Sequence, residues 1–220
     1  MKAFVAGATG RTGIEIVKQL HAQGIEVMAL VRSRTKATPL LPEGVEVIVG
    51  DILNPRSWED HLKNCDVLFC ATGATPSWDF TQPYKVDYEG TKLLVDRAKS
   101  QGLRRFILIS SLCVSQFFHP LNLFWLVLFW KQQAEKYIQA SGLTYTIVRP
   151  GGLLSEDNSD RIVLQKADTL FEGRIPRTKV AEIAIAALDH DSTNNQIIEA
   201  VATPDAPEQP WAERFAAISS

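Results

Sequence analysis

The chain has 220 residues, room for one α/β domain or one domain with a small appendage. Hydrophobic residues make up 45% and charged residues 22%, an ordinary globular composition that excludes a disordered or fibrous chain. A formal net charge of −2 supplies no general attraction to nucleic acid or anionic lipid, so any basic site must be local.

Taken in chain order, Lys2–Ala6 is a short apolar run that reaches a glycine turn at once, and Gly13 to Leu20 follows with helical spacing at Ile14, Val17 and Leu20. Ile25–Val31 reads as the second strand. The alternation continues with a strand at Val45–Val49, a helix at Pro55–Lys63, a strand at Val67–Cys70, a helix at Tyr84–Ser100 and a strand at Phe106–Ile109. A longer helix is expected from about Leu123 to Ala140, then a strand at Tyr145–Val148. Beyond Pro150 the rhythm changes: Asp157–Asp160 reads as a turn, Ile162–Leu164 as a strand, Lys179–Leu188 as a helix and Gln196–Val201 as a last strand. A proline-rich tail, 203–210, leads to a helical pattern at Trp211, Phe215 and Ile218.

Strands alternating with helices predict an α/β fold: a Rossmann-type doubly wound parallel sheet with a small C-terminal substrate-side lobe. Residues 1–150 form the expected core, and 151–220 a small lobe continuous with it. In such sheets the ligand lies at the carboxyl ends of the strands.

The motif Gly7-Ala8-Thr9-Gly10-Arg11-Thr12-Gly13 follows a strand and opens a helix. The first glycine permits the tight turn, the second lets backbone approach a pyrophosphate, and the third lets the helix pack on the strand. The helix N-terminus then faces the phosphates. NAD binders place a carboxylate near the end of the second strand, whereas this chain has Val31-Arg32-Ser33-Arg34-Thr35-Lys36 there. Arg32 can grip a 2′-phosphate bidentately, with Arg11 a second candidate, so NADP(H) is the expected cofactor. After the third strand, Asp51 and Ile52 are candidates for the adenine end. The small residues Ala71, Thr72 and Gly73 leave room for ribose and diphosphate.

These residues, together with Val86-Asp87-Tyr88-Glu89-Gly90-Thr91, Ile109-Ser110-Ser111, Lys131-x-x-Ala134-Glu135 and Tyr145-Thr-Ile-Val-Arg-Pro-Gly151, resemble an atypical short-chain dehydrogenase/reductase. More narrowly, the chain resembles the NmrA-like group, which includes the NADP-binding domain of the chloroplast import-translocon redox component and the biliverdin-IXβ/flavin reductases. The likeness covers roughly residues 1 to 190. It implies that Lys131 holds the nicotinamide ribose, that Ser110 and Ser111 line the nicotinamide pocket, and that Pro150 and Gly151 lie near the nicotinamide end. Lys131 and Ser111 are the candidate catalytic residues.

The catalytic pattern of that superfamily is Tyr-x-x-x-Lys, and four residues before Lys131 stands Val127. Valine transfers no proton, so reduction of an ordinary carbonyl lacks its acid, worth about 10²–10⁴-fold. An acceptor that takes its proton from solvent, such as a flavin, needs no such tyrosine. Two functions remain open: an NADPH-dependent oxidoreductase, and a non-catalytic NADP(H) sensor or assembly factor. The partner is accordingly a small-molecule acceptor or a protein, not nucleic acid. The segment 117–130 is apolar all round, and its Leu123–Trp130 run is far shorter than the ~20 residues of a membrane span. Its outer side needs a cover: the small lobe, an aromatic acceptor, or a protein or membrane surface, as in docking to a membrane complex. Burial of Phe124 and Trp125 against the chain's own residues would exclude docking.

Cys65, Cys70 and Cys113 stand at no metal-ligand spacing, and an odd count makes no disulfide framework. With His21, His61, His119 and His190 scattered as well, no metal site is expected. With no signal peptide ahead of Lys2, the expectation is a reduced, cytoplasmic protein, peripheral to a membrane if the aromatic segment docks there. The resemblance implies a monomer.

Overall fold

Alternate residues of the first strand, β1 (Lys2–Ala6), feed opposite sides of a sheet: Ala3 and Val5 join one apolar cluster, and Phe4 and Ala6 another. A period of two with both faces apolar is the pattern of a strand covered on both sides. The computed structural model describes residues 1–74, 78–123 and 125–219. After β1 come α1 (Arg11–Ala22), β2 (Glu26–Val31), α2 (Arg34–Ala37), β3 (Glu46–Val49), β4 (Val67–Cys70), α3 (Thr91–Ser100), β5 (Arg105–Ile109), α4 (Val127–Ser141) and β6 (Tyr145–Pro150). The C-terminal part adds β7 (Gly152–Leu154), β8 (Arg161–Lys166), β9 (Arg174–Pro176), α5 (Arg177–Ala186), β10 (Gln196–Thr203) and α6 (Trp211–Ser219).

The sheet runs β3-β2-β1-β4-β5-β6-β10, parallel throughout, with β8 and β9 antiparallel to β10 and β7 on the far side of β9. This is the doubly wound order expected, with the switch point between β1 and β4. The last strand therefore extends the N-terminal sheet beside β6, in register from Gln196 opposite Thr146 to Ala200 opposite Pro150. Helices α1, α5 and α6 cover one face around Ile16, Val17, Ile183 and Phe215. Leu94, Ile138 and Trp58 sit on the other.

Three expected helices take a different form. Pro55–Lys63 is two 3₁₀ stretches, Pro55–Ser57 and Glu59–Asn64, joined at the fully buried Trp58, whose Nε1 donates to the Asp51 carbonyl at 2.9 Å. The helix expected from Tyr84 begins as a π-helical stretch, Pro83–Gly90, a widening that recurs at functional sites. The long helix starts at Val127, not Leu123. Trp125 and Leu126 have left-handed backbones (φ 58° and 59°) that no α-helix can run through. Buried Asn122 then caps the new start, its Oδ1 accepting from the amides of Leu128 (2.9 Å) and Phe129 (3.1 Å). The short elements α2, β7 and β9 were not expected. Among the described residues no helix is long and apolar enough to cross a membrane.

Candidate cofactor and acceptor site

The glycine turn joins β1 to α1 with no room to spare. Gly7 has φ +81°, and a Cβ there would stand 2.7 Å from the Ala71 carbonyl oxygen at the end of β4. At Gly13 it would stand 2.1 Å from the Gly7 carbonyl oxygen, so strand and helix meet backbone to backbone. The Gly10 amide closes the turn on the Gly7 carbonyl at 2.8 Å, and no side chain caps α1, so the amides of its first turn remain available to a ligand.

This turn forms one wall of a cleft of about 370 Å³ at the carboxyl ends of the strands. Gly7, Thr9, Gly10, Arg32, Asp51, Ile52, Ala71, Thr72 and Gly73 all border it, as the sequence predicted. Arg32 is exposed and makes no ion pair among the described residues, while Arg34 turns away to the Val47 carbonyl at 2.7 Å. Asp51 caps its own turn, one carboxylate oxygen accepting from the Leu53 amide at 2.9 Å. Arg11 and Thr12 do not line the cleft. Thr12 is buried in the first turn of α1, and Arg11 stands near enough to Arg177 that, after burial, its charge lowers the Arg177 pKa.

Thr72 belongs both to this cleft and to a small recess that holds Lys131, Asp87, Thr91 and Ser110. Lys131 Nζ pairs with Asp87 Oδ1 at 2.8 Å, and Asp87 is 2% exposed. Its other oxygen accepts from the Ala74 amide at 3.1 Å. Burial works to lower the Lys131 pKa, but the charge and hydrogen bond of Asp87 overcome it and raise the pKa above the usual lysine value. Lys131 is thus a fixed ammonium beside Gly73, not a base. Asp87 belonged to a motif quoted for its resemblance, and spacing gave no sign of this partnership across 44 residues. Replacing Lys131 by Met strands a buried carboxylate and is expected to cost about 3 kcal/mol of stability. Urea denaturation checks this, and Asp87→Asn in the same chain should recover part of the loss.

Ser110 is also buried, and its hydroxyl donates to Glu135 at 2.5 Å. Glu135 in turn receives Arg149 in a fork, Nη2 to Oε2 at 2.7 Å and Nε to Oε1 at 3.1 Å. Arg149 Nη1 reaches Asp168 at 2.9 Å and Glu199 at 3.3 Å. Glu199 is further held by the amides of Asp168, Thr169 and Leu170 at 2.9, 2.9 and 2.7 Å. Burial acts to lower the Arg149 pKa, but the Glu135 hydrogen bond and charge, aided by Asp168, carry it upward. Glu135 and Arg149 stand in separate motifs of the sequence, and no local spacing announces the network that joins them to Glu199.

A second cavity, also about 370 Å³, opens beyond Ser110. Ser111, Pro150 and Gly151 border it as expected, facing Phe171, Arg177 and His119. Val127 packs on the apolar cluster of Leu112, Val114 and Leu128, one helical turn from Lys131. No other tyrosine supplies the missing acid. Tyr137 donates to Asp96 at 2.6 Å, which together with burial pushes its pKa up to about 12. Tyr84 donates to Glu89 at 3.0 Å, Tyr88 lies against Tyr84 and Trp130, and Tyr145 is buried in β6.

Around this mouth the aromatic segment is only partly covered. Trp125 rests on Phe80 with ring centroids 4.1 Å apart yet stays 38% exposed, whereas Phe118 is 96% and Leu123 82% exposed. Phe124 lies outside the described residues. No group of three or more metal-ligating side chains occurs among the described residues.

The sequence from residue 7 to 191 matches the family model described as NAD(P)H-binding. An uncharacterized chloroplastic protein of Arabidopsis thaliana is 40% identical over 99% of this chain and 82% of its own length. The chloroplastic protein TIC 62 of Pisum sativum is 36% identical over 99% of this chain, which spans 46% of that longer protein. Sanguinarine reductase of Eschscholzia californica is 28% identical, with 93% of this chain and 90% of that one aligned. Among solved structures, the oxidoreductase ylbE of Lactococcus lactis superimposes with a TM-score of 0.81 at 22% identity, covering 98% of this chain and 95% of its own. The chain belongs to the NAD(P)H-binding family.

Proposed function

We propose that the chain is an NADPH-dependent oxidoreductase of the NmrA-like kind that passes hydride to a flavin-like acceptor without a tyrosine acid. The observation that carries this reading is the succession of sites. Thr72 links the glycine-turn cleft to the Lys131 recess, and Ser110 links that recess to a second cavity large enough for a ring system.

Gly7, Gly10, Gly13 and the open N-terminus of α1 would hold the diphosphate, with Arg11 and Thr12 beside them. Ala71, Thr72 and Gly73 would floor the riboses, and Asp51 and Ile52 would flank the adenine. Lys131, already an ammonium, would hold the nicotinamide ribose, while Ser110, Ser111, Pro150 and Gly151 border the nicotinamide end. The chemistry the cofactor supplies is a hydride. The acceptor would gain that hydride together with one proton from water, the two electrons coming from the reduced nicotinamide. Sanguinarine reductase supports a reductase reading by its name.

The choice of NADPH over NADH rests on Arg32, exposed at the cleft and in no ion pair among the described residues. Arg32→Glu is expected to raise the Kd for NADPH about 100-fold, roughly 2.7 kcal/mol, and to leave NADH binding nearly unchanged. Equal affinity ratios in wild type and variant, measured by nucleotide fluorescence titration, would refute the assignment.

A second reading, a non-catalytic NADP(H) sensor or assembly factor docking to a protein or membrane partner through segment 117–130, is favoured by the exposure of Phe118 and Leu123. Steady-state NADPH oxidation against flavins, quinones and biliverdin separates the two. Tight NADPH binding with no turnover of any acceptor would leave the sensor. Three buried free cysteines suit a reducing compartment in either case, the cytoplasm by our expectation, and a monomer is the proposed state.

A further inference from the structure

Three of the polar side chains that border the acceptor cavity are already engaged. The Ser110 hydroxyl donates to Glu135, the Cys113 thiol to the Phe171 carbonyl at 3.3 Å, and Arg177 Nη1 to the Ser155 hydroxyl at 3.2 Å. His119 differs, because among the described residues its ring is hydrogen-bonded through Nδ1 alone. Nδ1 accepts the Leu121 amide at 3.2 Å, across the start of the 3₁₀ turn Pro120–Leu123. A nitrogen that accepts from a backbone amide carries no proton, so the hydrogen-bond pattern assigns the neutral ring with its proton on Nε2.

We propose that His119, held as the Nε2–H tautomer, is the hydrogen-bond donor that the acceptor meets in this cavity, and that it confines acceptors to quinones and isoalloxazines. The inference rests on the oxidoreductase reading and names its substrate class. A neutral imidazole stabilises developing negative charge but surrenders no proton near neutral pH. Hydride addition to an aldehyde or ketone leaves an alkoxide, about as basic as hydroxide, which must be protonated within the step. Hydride addition to a quinone leaves a phenolate-like oxygen with a pKa about 10, which a hydrogen bond can support until water supplies the proton. The balance is one hydride from the reduced cofactor and one proton from water, giving hydroquinone and oxidised cofactor, with the imidazole unchanged.

The test has two arms, both on the full chain. In the first, long-range ¹H–¹⁵N spectra of the protein saturated with NADP⁺ are recorded while FMN or menadione is added. The His119 resonances should report a protonated Nε2 and a bare Nδ1, and Nε2 should shift on addition while His21, His61 and His190 stay still. A protonated Nδ1, or no shift with either probe, overturns the proposal. In the second, NADPH oxidation by menadione should fall about 100-fold in kcat/KM in His119→Ala. His119→Gln, which keeps an N–H donor at similar reach, should recover most of it, with the Kd for NADPH unchanged in both. An Ala variant as fast as wild type, or a Gln variant as slow as Ala despite a native melting temperature, overturns the donor role. Absence of wild-type turnover together with the Nε2 shift defeats the reductase reading alone and keeps His119 as the contact for the ring. Turnover with no shift defeats His119 alone.

Discussion

Arg149→Met is expected to remove about 5 kcal/mol of stability, at the upper end of what breaking a buried ion pair costs. Arg149, Glu135 and Glu199 are 4%, 1% and 1% exposed, so water cannot replace the lost guanidinium. The two glutamates would not suffer equally. Glu199 keeps three backbone amides, whereas Glu135 keeps only the Ser110 hydroxyl. The stranded charge is therefore mostly that of Glu135. A protein of typical stability, about 5–15 kcal/mol, would be left marginal or unfolded. Urea denaturation midpoints check the prediction. Adding Glu135→Gln to Arg149→Met should restore a large share, while adding Glu199→Gln should restore less. If Arg149→Met unfolds at the wild-type midpoint, the network contributes nothing net and the distances describe an incidental cluster.

The same network links stability to the site. Arg149, next to last in β6, joins Glu135 of α4 to Glu199 of β10 and to the 168–170 turn. Through Ser110 it fixes a strand end at the mouth of the acceptor cavity. A buried guanidinium with carboxylates on several sides tolerates no sliding of these elements, because any displacement leaves a charge unpaired in a low-dielectric interior.

Local patterns were legible in the sequence and distant partnerships were not. The β1–turn–α1 unit follows from glycine chemistry and a 3.6-residue period, and the strand-end rule places Gly7, Gly10, Arg32, Asp51 and Gly73 at the cleft, though not Arg11 or Thr12. The start of α4 did not. Periodicity extended the helix back to Leu123, and nothing local announces that Trp125 and Leu126 turn left-handed while Asn122 caps amides six and seven residues on. Arg149 meets partners 14, 19 and 50 positions away, pairings that only the folded sheet creates. In the sequence His119 is one of four scattered histidines. Its place in the cavity depends on the segment between β5 and α4 folding back toward β7, which no periodicity encodes.

Gly13→Ala is expected to raise the Kd for NADPH at least about 1000-fold, roughly 4 kcal/mol, and to lower stability by about 1–3 kcal/mol. The added methyl would stand 2.1 Å from the Gly7 oxygen, 2.8 Å from the Gly7 carbonyl carbon and 3.1 Å from the Ala8 Cα, all backbone atoms with no rotamer to escape into. Either α1 lifts from β1 or the turn opens, and both move the α1 amides away from the phosphates they are placed to meet. Gly10 provides the contrast. Its φ is −72°, and a Cβ there would stand 3.1 Å from the Gly7 oxygen, tight but far less so. Gly10→Ala should therefore unfold close to wild type while still binding NADPH weakly, because the methyl lies where the pyrophosphate must approach the backbone. Thermal melts and nucleotide titrations of the two variants separate packing from approach. If Gly13→Ala melts like wild type and binds NADPH as well, the close contact between strand and helix does not set the phosphate site.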